Sequence, residues 1–247
     1  MEKQHHIQLL PGDVGETVFL PGDVSRAKII ADHFDKAELV AHSRQYITYT
    51  GTYQGVKVSV TSTGIGCPAL AIAVEELIKV GAKNFIRIGT CGSLQKDVHV
   101  GDVVIATGAV RGDGTSREYF PLEYPAVADF HVLEAMVQAA NERKANPHVG
   151  IIRAHDSFYA ESKLAAIDYL EKDKPWINSH VLSVENESST LFTLSTVRKC
   201  RAGTILVPVG HHLLPDEEIP DEQFTKAIDL ITLISLDAAV TLDRLEK

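Results

Sequence analysis

The length, composition and charge of this chain exclude several classes of protein. Its 247 residues are 45% hydrophobic, which suits one large α/β domain over residues 1–247 with a well-buried core. It carries 24 Lys and Arg against 33 Asp and Glu, a formal net charge of −9. That balance argues against a nucleic-acid groove or an anionic membrane surface as partner, although a local arginine cluster could still bind a small anion.

Targeting signals and cysteine usage also narrow the choice. The N-terminus lacks the apolar segment of a signal peptide, and no run of about 20 apolar residues occurs. The cysteines are Cys67, Cys91 and Cys200, an odd number at wide spacing that gives neither a disulfide framework nor a zinc motif. We therefore expect a cytoplasmic protein without a metal site.

The predicted elements alternate short strands with longer helices, which is typical of a layered α/β fold. Helices are predicted at 69–80, after the cap Asp129 with Phe130 on the buried face, at 186–199, and after Pro220. The turn Gln54-Gly55 indicates a hairpin, so we expect a single-domain sandwich whose central mixed, twisted sheet is flanked by helices. In chain order, strands are predicted at 17–20, 46–53, 56–62, 84–88, 103–110, 148–154, 180–184 and 204–209.

Three glycine-bearing segments follow apolar strands, at residues 20–23, 62–66 and 89–93, and we interpret them as turns. Glycine lets backbone N–H groups approach an anion, although such turns are common in α/β proteins. Arg26, Arg44 and Arg87 accompany these segments, and arginine is favoured for forked hydrogen bonding to phosphate. Arginine usually lies on the solvated surface, but Arg87 interrupts the apolar strand 85–88, where a buried charge needs a partner. The combination predicts a phosphate site.

The segment Glu185-Asn186-Glu187-Ser188 forms an acidic cluster at a predicted strand-to-helix junction. A carboxylate there could bind the paired hydroxyls of a sugar, but acidic residues also favour the first turn of any helix, and spacing alone favours this second explanation. Cys91 has no adjacent base and is predicted to be a packed residue rather than a nucleophile.

The chain resembles the nucleoside phosphorylases of the trimer-of-dimers type, which include uridine phosphorylase and the bacterial hexameric purine nucleoside phosphorylases. The resemblance covers nearly the whole length. The motifs that carry it, in order, are LPGDVSRAKII (20–30), STGIGCPALAIAVEEL (62–77), IRIGTCGSL (86–94), VGDVVIATGAV (100–110), PLEYPAVADF (121–130), HDSFYAES (155–162) and SVENESSTLF (183–192).

The resemblance implies a role for each matching position. The phosphate-binding residues would be Gly22, Arg26, Arg44, Arg87 and Thr90, with Arg44 supplied by a neighbouring subunit. The ribose-binding residues would be His6 (also from the neighbour), Asn186 and Glu187. The base-binding residues would be Phe158, Gly92 and Ser162. The catalytic residues would be Arg87, Glu187 and His211. No metal and no cofactor besides the co-substrate phosphate are implied.

The sequence departs from the family pattern around the base. Uridine phosphorylases carry Gln-x-Arg after the aromatic pair, where this chain has residues 160–163, AESK. The purine enzymes carry Ser-Asp where this chain has Gly210-His211. In the acidic cluster, which usually reads Glu-Met-Glu in the family, Asn186 replaces the Met. His211 and His212 then remain as candidates to neutralise the leaving base, unless both are loop residues without a role. Gln45 replaces a Glu beside which some members bind a monovalent cation, so no cation is expected.

We therefore expect phosphorolysis of a nucleoside, uridine first, to the free base and ribose 1-phosphate. The alternatives are a purine nucleoside phosphorylase, a hydrolytic nucleosidase and a non-catalytic nucleoside-binding protein. The expected partners are nucleoside and phosphate, with neither nucleic acid nor membrane, and the expected assembly is a homo-hexamer whose active sites are each shared by two subunits.

Overall fold

The computed structural model describes residues 2–161 and 168–245. The strands are β1 (Thr17–Pro21), β2 (Lys36–Ser43), β3 (Tyr46–Tyr53), β4 (Val56–Thr61), β5 (Asn84–Ser93), β6 (Val104–Gly112), β7 (Ala126–Val127), β8 (His148–His155), β9 (Ser183–Glu185) and β10 (Arg201–His211). The helices are α1 (Val24–Ala31), α2 (Cys67–Lys79), α3 (Thr115–Tyr119), α4 (Phe130–Glu142), α5 (Tyr169–Asn178), α6 (Ser188–Val197) and α7 (Asp221–Leu245), with a 3₁₀ turn at Phe158–Glu161.

These strands form one mixed sheet, and five of them close into a ring. β5 pairs with β1, β9 and β10, and further pairings of β10 with β6, β6 with β8 and β8 with β9 complete a ring of five strands. β1, β4, β3 and β2 extend the sheet beyond β5. β1, β5 and β10 run parallel to one another, so their carboxyl ends meet at one edge of the sheet.

The sheet separates two hydrophobic cores, because successive side chains of a strand point to opposite faces. On β1, Phe19 joins the core beneath α1, α4 and α7, whereas Val18 and Leu20 join the core beneath α2 and α6. On β5, Ile86 joins the core beneath α1, α4 and α7, and Phe85 joins the core beneath α2 and α6. The predicted fold class, a central mixed sheet flanked by helices, is confirmed.

Most predicted elements are confirmed, including the hairpin at Gln54-Gly55 and the helix predicted at 69–80, which is α2. The prediction of a turn at 89–93 is wrong, because β5 continues to Ser93. Phe130 was expected in the core, but it is 65% exposed and α4 buries the face of Val132 and Met136 instead. The sequence did not predict β2, β7, α1, α3 or α5. Within the described residues, no helix has the length and apolar character needed to cross a membrane.

Candidate active site

A cleft of about 1270 Å³ opens at the edge of the sheet where β1, β5, β9 and β10 end. Ligands bind at this edge in α/β folds because the loops that follow the strands can approach each other there. The segments that line it are the turn after β1, the second half of β5, the junction of β9 with α6, and the end of β10 with the loop that follows it. Two of the three glycine-bearing segments and the acidic cluster therefore converge on one cavity, together with part of the third segment, 62–66.

Arg87 lies at the centre of this cleft with 4% of its surface exposed. Its Nε donates to Glu185 Oε2 at 2.9 Å, and its Nη2 lies 2.5 Å from Glu187 Oε2. Burial alone would lower the pKa of Arg87, but Glu187 and Glu185 together raise it. The third nitrogen, Nη1, is buried and has no hydrogen-bond partner among the described residues. A Cβ added to Gly22 would lie 3.7 Å from this atom, so the unpaired donor is directed towards the first glycine turn.

Arg26 supplies a second positive charge beside that donor. It lies on α1, whose first turn is capped by Asp23 Oδ1, and it is 8% exposed. Its guanidinium packs 6.0 Å from the ring centroid of Phe224, and no carboxylate of the described residues forms an ion pair with it. Burial lowers the pKa of Arg26, with a further lowering by Arg87 and an opposing effect of Asp23. Two buried guanidinium groups that approach the same glycine turn favour an anion between them.

The two carboxylates of the acidic cluster make different contacts. Glu185 accepts from the backbone N–H groups of Glu187 and Ser188, both at 2.9 Å, as well as from Arg87. Glu185 therefore accepts from N–H groups at the start of α6 and also holds Arg87. The preference of acidic residues for the first turn of a helix thus accounts for Glu185. Glu187 Oε1 accepts instead from the N–H of Gly66 at 2.6 Å, at the first turn of α2.

Glu187 is the less satisfied of the pair. Burial raises its pKa, with Arg87 opposing this and Glu185 adding to it. Its side chain is 3% exposed yet lines the cleft, so it is a buried carboxylate that faces a polar cavity. A neutral hydroxyl donor would stabilise its charge without adding a second cation.

Five of the other residues predicted for the site also line the cleft, namely Thr90, Gly92, Asn186, Phe158 and His211. Asn186 also donates its side-chain amide to the carbonyl of His155. Phe158 is 63% exposed and meets Tyr159 edge-on at 5.1 Å, so this pair forms an aromatic wall at the mouth of the cleft rather than part of the core.

His6 and Arg44 do not line the cleft of their own chain. Arg44 is exposed in the two-residue turn between β2 and β3, with φ at 56°. His6 Nδ1 lies 2.7 Å from Glu76 Oε1 on α2, and the same carboxylate accepts from the backbone of His6 and Ile7. Ser162 lies outside the described residues.

The two adjacent histidines at the end of β10 have different surroundings. His211 Nδ1 accepts from the backbone N–H groups of Leu213 and Leu214, at 3.1 and 3.2 Å. His212 Nδ1 instead lies 2.5 Å from Oδ2 of Asp173, a fully buried residue of α5. Sequence reasoning missed Asp173, because no local pattern links a carboxylate in α5 to a histidine 39 residues later.

Cys91 is a buried thiol on β5, and burial raises its pKa to about 12. It is therefore protonated at neutral pH, which opposes a role as nucleophile. Among the described residues, no group of three or more His, Cys, Asp or Glu side chains is arranged to hold a metal ion.

Comparison with known proteins agrees with this geometry. The model of the phosphorylase superfamily matches residues 16–235. The chain is 43% identical to a uridine phosphorylase of Treponema pallidum, over 89% of this chain and 87% of that protein. It is 41% identical to a guanosine phosphorylase of Halorubrum lacusprofundi, over 98% and 100% of the two chains. A crystal structure of uridine phosphorylase from Vibrio fischeri superimposes with a TM-score of 0.87 at 31% identity, over 99% of this chain and 98% of that one. The chain therefore belongs to the phosphorylase superfamily.

Proposed function

We propose that this protein is a nucleoside phosphorylase, a pentosyltransferase that converts a nucleoside and inorganic phosphate to the free base and ribose 1-phosphate, with uridine as its preferred substrate. The observation that carries the proposal is the unpaired Nη1 of Arg87, buried beside Arg26 and directed at the Gly22 turn. A hydrolase that uses water as nucleophile does not need two buried guanidinium groups at this place.

Phosphate is proposed to bind between Arg26, Arg87 and the turn at Gly22. Thr90, on β5 with Arg87, would also contact it. One of its oxygens attacks the anomeric carbon while the bond to the base breaks, and positive charge develops on the ribose. The enzyme contributes chiefly by positioning the reactants and by electrostatic stabilisation. Since Arg87 is held rigidly by Glu185 Oε2 at 2.9 Å, the donor for phosphate is oriented before the substrate binds.

The sugar is proposed to bind through Glu187, whose buried carboxylate would accept hydrogen bonds from the ribose hydroxyls, with Asn186 beside it. The base would then lie between Gly92 and the aromatic wall at Phe158. Both segments line the same cleft as Glu187. The charge on Glu187 also lies where it would stabilise the positive charge that develops on the ribose during the reaction.

We propose that a second copy of this chain completes the site, within a hexamer built from three dimers. Arg44 and His6 do not line the cleft of their own chain. Ile65, at the cleft, is 82% exposed, which suits a residue that a neighbouring subunit covers. The cleft would then receive His6 and Arg44 from the neighbour. We also propose a cytoplasmic location.

The test is the release of free base from uridine, inosine, guanosine and adenosine, measured with and without phosphate. Phosphate-dependent release, fastest with uridine, is the expected result. Equal release without phosphate would indicate a hydrolytic nucleosidase, and binding without turnover would indicate a nucleoside-binding protein. Guanosine is the second candidate substrate, because the guanosine phosphorylase of Halorubrum lacusprofundi aligns with 98% of this chain. Faster turnover of guanosine would overturn the uridine proposal but not the phosphorylase.

A further inference from the structure

We propose that Asn186 makes this enzyme favour ribonucleosides over 2′-deoxyribonucleosides, because its side-chain carbonyl oxygen accepts a hydrogen bond from the 2′-hydroxyl of the bound sugar. The inference rests on the proposed phosphorylase function and names the sugar that the same cleft prefers. It applies to uridine and to guanosine alike, since it concerns the sugar and not the base.

The first observation is the orientation of the Asn186 amide. Asn186 directly follows β9, is 9% exposed and lines the cleft. Its Nδ2 donates to the backbone carbonyl of His155, at the end of the neighbouring strand β8. A side-chain amide carries a donor nitrogen and an acceptor oxygen on two arms of one plane. Because the nitrogen is turned towards His155, Oδ1 is turned away from it, and Oδ1 accepts no hydrogen bond from the residues that the structure describes.

The second observation is that Asn186 and Glu187 offer neighbouring acceptors in the cleft. Glu187 Oε1 already accepts from the N–H of Gly66 at 2.6 Å, and Oε2 lies 2.5 Å from Nη2 of Arg87. The side-chain oxygen of Asn186 has no such competing donor. Ribose carries hydroxyls on two adjacent carbons, and each needs an acceptor once the sugar leaves water. Two neighbouring acceptors suit this pair, whereas 2′-deoxyribose would leave one acceptor without a donor.

The surroundings of Asn186 indicate which hydroxyl it meets. Val184, two residues earlier, pairs with Gly92 across β9 and β5, and both line the cleft at the proposed position of the base. Glu187 is held by Arg87, on the side of the proposed phosphate position. Asn186 therefore follows the base side of the cleft along the chain and precedes Glu187. The 2′-hydroxyl is nearer the base than the 3′-hydroxyl, because its carbon is bonded to the anomeric carbon. We therefore assign the 2′-hydroxyl to Asn186 in addition to Glu187, and the 3′-hydroxyl to Glu187 alone.

A purely structural role would use only the nitrogen of Asn186. The amide would then connect the end of β9 to the end of β8 through the carbonyl of His155, and Oδ1 would have no function. The two roles predict different results. The connection between the strands is present with every substrate, so its loss should slow all nucleosides equally. Oδ1 acts only on a substrate that has a 2′-hydroxyl, so its loss should change the preference between substrates.

The test measures kcat/KM for uridine, 2′-deoxyuridine and 3′-deoxyuridine in wild-type enzyme and in Asn186→Leu. Leu has nearly the shape of Asn but forms no hydrogen bond. The three nucleosides differ in intrinsic reactivity, but this difference is the same for both enzymes and cancels when their ratios are compared. We expect the ratio of uridine to 2′-deoxyuridine to fall about three- to tenfold in the variant, which corresponds to one neutral hydrogen bond. The ratio of uridine to 3′-deoxyuridine and the KM for phosphate should each change less than about twofold.

A second variant and a control complete the comparison. Asn186→Met also removes the amide and introduces the residue that is usual in the family at this place, so it keeps the test open if Leu prevents folding. It should give the same shift in the ratio of uridine to 2′-deoxyuridine. Asn84→Leu is the matched control. It removes another buried amide, whose Nδ2 donates to Thr17 Oγ1 at 3.3 Å at the start of β5 and which does not line the cleft, and it should leave both ratios unchanged.

Each outcome decides between the proposals. If Asn186→Leu slows all three nucleosides equally, or if only the ratio of uridine to 3′-deoxyuridine falls, then Asn186 does not bind the 2′-hydroxyl. Phosphate-dependent turnover with unchanged ratios would overturn the sugar preference alone. If wild-type enzyme releases no base from any nucleoside in the presence of phosphate, the proposed function fails and the sugar preference fails with it. If the enzyme turns over guanosine rather than uridine, the same comparison is made with guanosine and its 2′-deoxy and 3′-deoxy forms.

Discussion

The two carboxylates that flank Arg87 should respond differently to the same substitution. Glu185 is bonded on both of its oxygens to fixed donors, whereas Glu187 is bonded to one backbone N–H and shares Arg87. We predict that Glu185→Gln mainly lowers stability and phosphate binding. Glu187→Gln should mainly lower nucleoside turnover.

The structure sets the expected size of each effect. In Glu185→Gln the new NH₂ group must face one of three donors, which are the N–H groups of Glu187 and Ser188 and the Nε of Arg87. Loss of a hydrogen bond with a charged partner, together with an unsatisfied buried donor, costs about 3 kcal/mol. For a chain of this size that lowers the Tm by about 6–12 °C. Glu187→Gln also turns an NH₂ group towards a donor, the N–H of Gly66 or Nη2 of Arg87. It removes a charge that burial disfavours, however, and leaves the pair of Arg87 with Glu185 intact, so the expected cost is smaller, about 1 kcal/mol.

The assay is thermal unfolding at one fixed protein concentration, combined with steady-state kinetics in both substrates. Glu187→Gln should lower kcat/KM for the nucleoside about 10- to 100-fold, which corresponds to one charge-assisted hydrogen bond. Its KM for phosphate should stay near the wild-type value, whereas that of Glu185→Gln should rise. Equal losses of Tm in both variants would refute this reasoning. So would normal nucleoside kinetics in Glu187→Gln.

Arg26→Ala should raise the KM for phosphate about 10- to 100-fold with little change in Tm, because Arg26 forms no ion pair with a carboxylate in the part of the chain that the structure describes. Arg87→Ala leaves two buried carboxylates without their cation and should cost about 3–5 kcal/mol in unfolding measurements. Equal Tm losses in these two arginine variants would contradict that. The raised pKa of Glu187 means that its carboxylate is protonated at a higher pH than an ordinary Glu, so kcat/KM for the nucleoside should begin to fall at a pH above the usual 4.5. Since the destabilising contribution of the charged Glu187 shrinks as pH falls through the raised pKa, the wild type should gain stability relative to Glu187→Gln, and a Tm cost of Glu187→Gln that does not grow at low pH would argue against it. Refolding a mixture of Arg44→Ala and Glu187→Gln chains should restore activity at about a quarter of the sites, provided that two subunits share each site, and a mixture as inactive as its components would argue for a self-contained site.

How much of this site the sequence could predict depends on the range of each contact. Arg87 was recognisable because a charge within an apolar strand requires burial and a partner. The division of work between Glu185 and Glu187 was not, since both residues suit the first turn of a helix and only the fold shows which oxygen meets which donor. The pair of Asp173 with His212 was beyond reach for the same reason, because α5 and β10 are brought together by tertiary packing alone.

The geometry of Arg87 would place the proposed phosphate and sugar subsites next to each other in this cleft. Its guanidinium is planar and rigid, so its three nitrogens point in fixed directions. Nε is held by Glu185 and Nη2 by Glu187, while Nη1 faces the Gly22 turn. A phosphate at Nη1 would therefore contact the same planar group that holds Glu187, the proposed partner of the ribose. Phosphate bound at Nη1 would lessen the pull of Arg87 on Glu187 and leave that carboxylate freer to accept from the ribose hydroxyls. By thermodynamic linkage, the ribose would strengthen the binding of phosphate by the same factor.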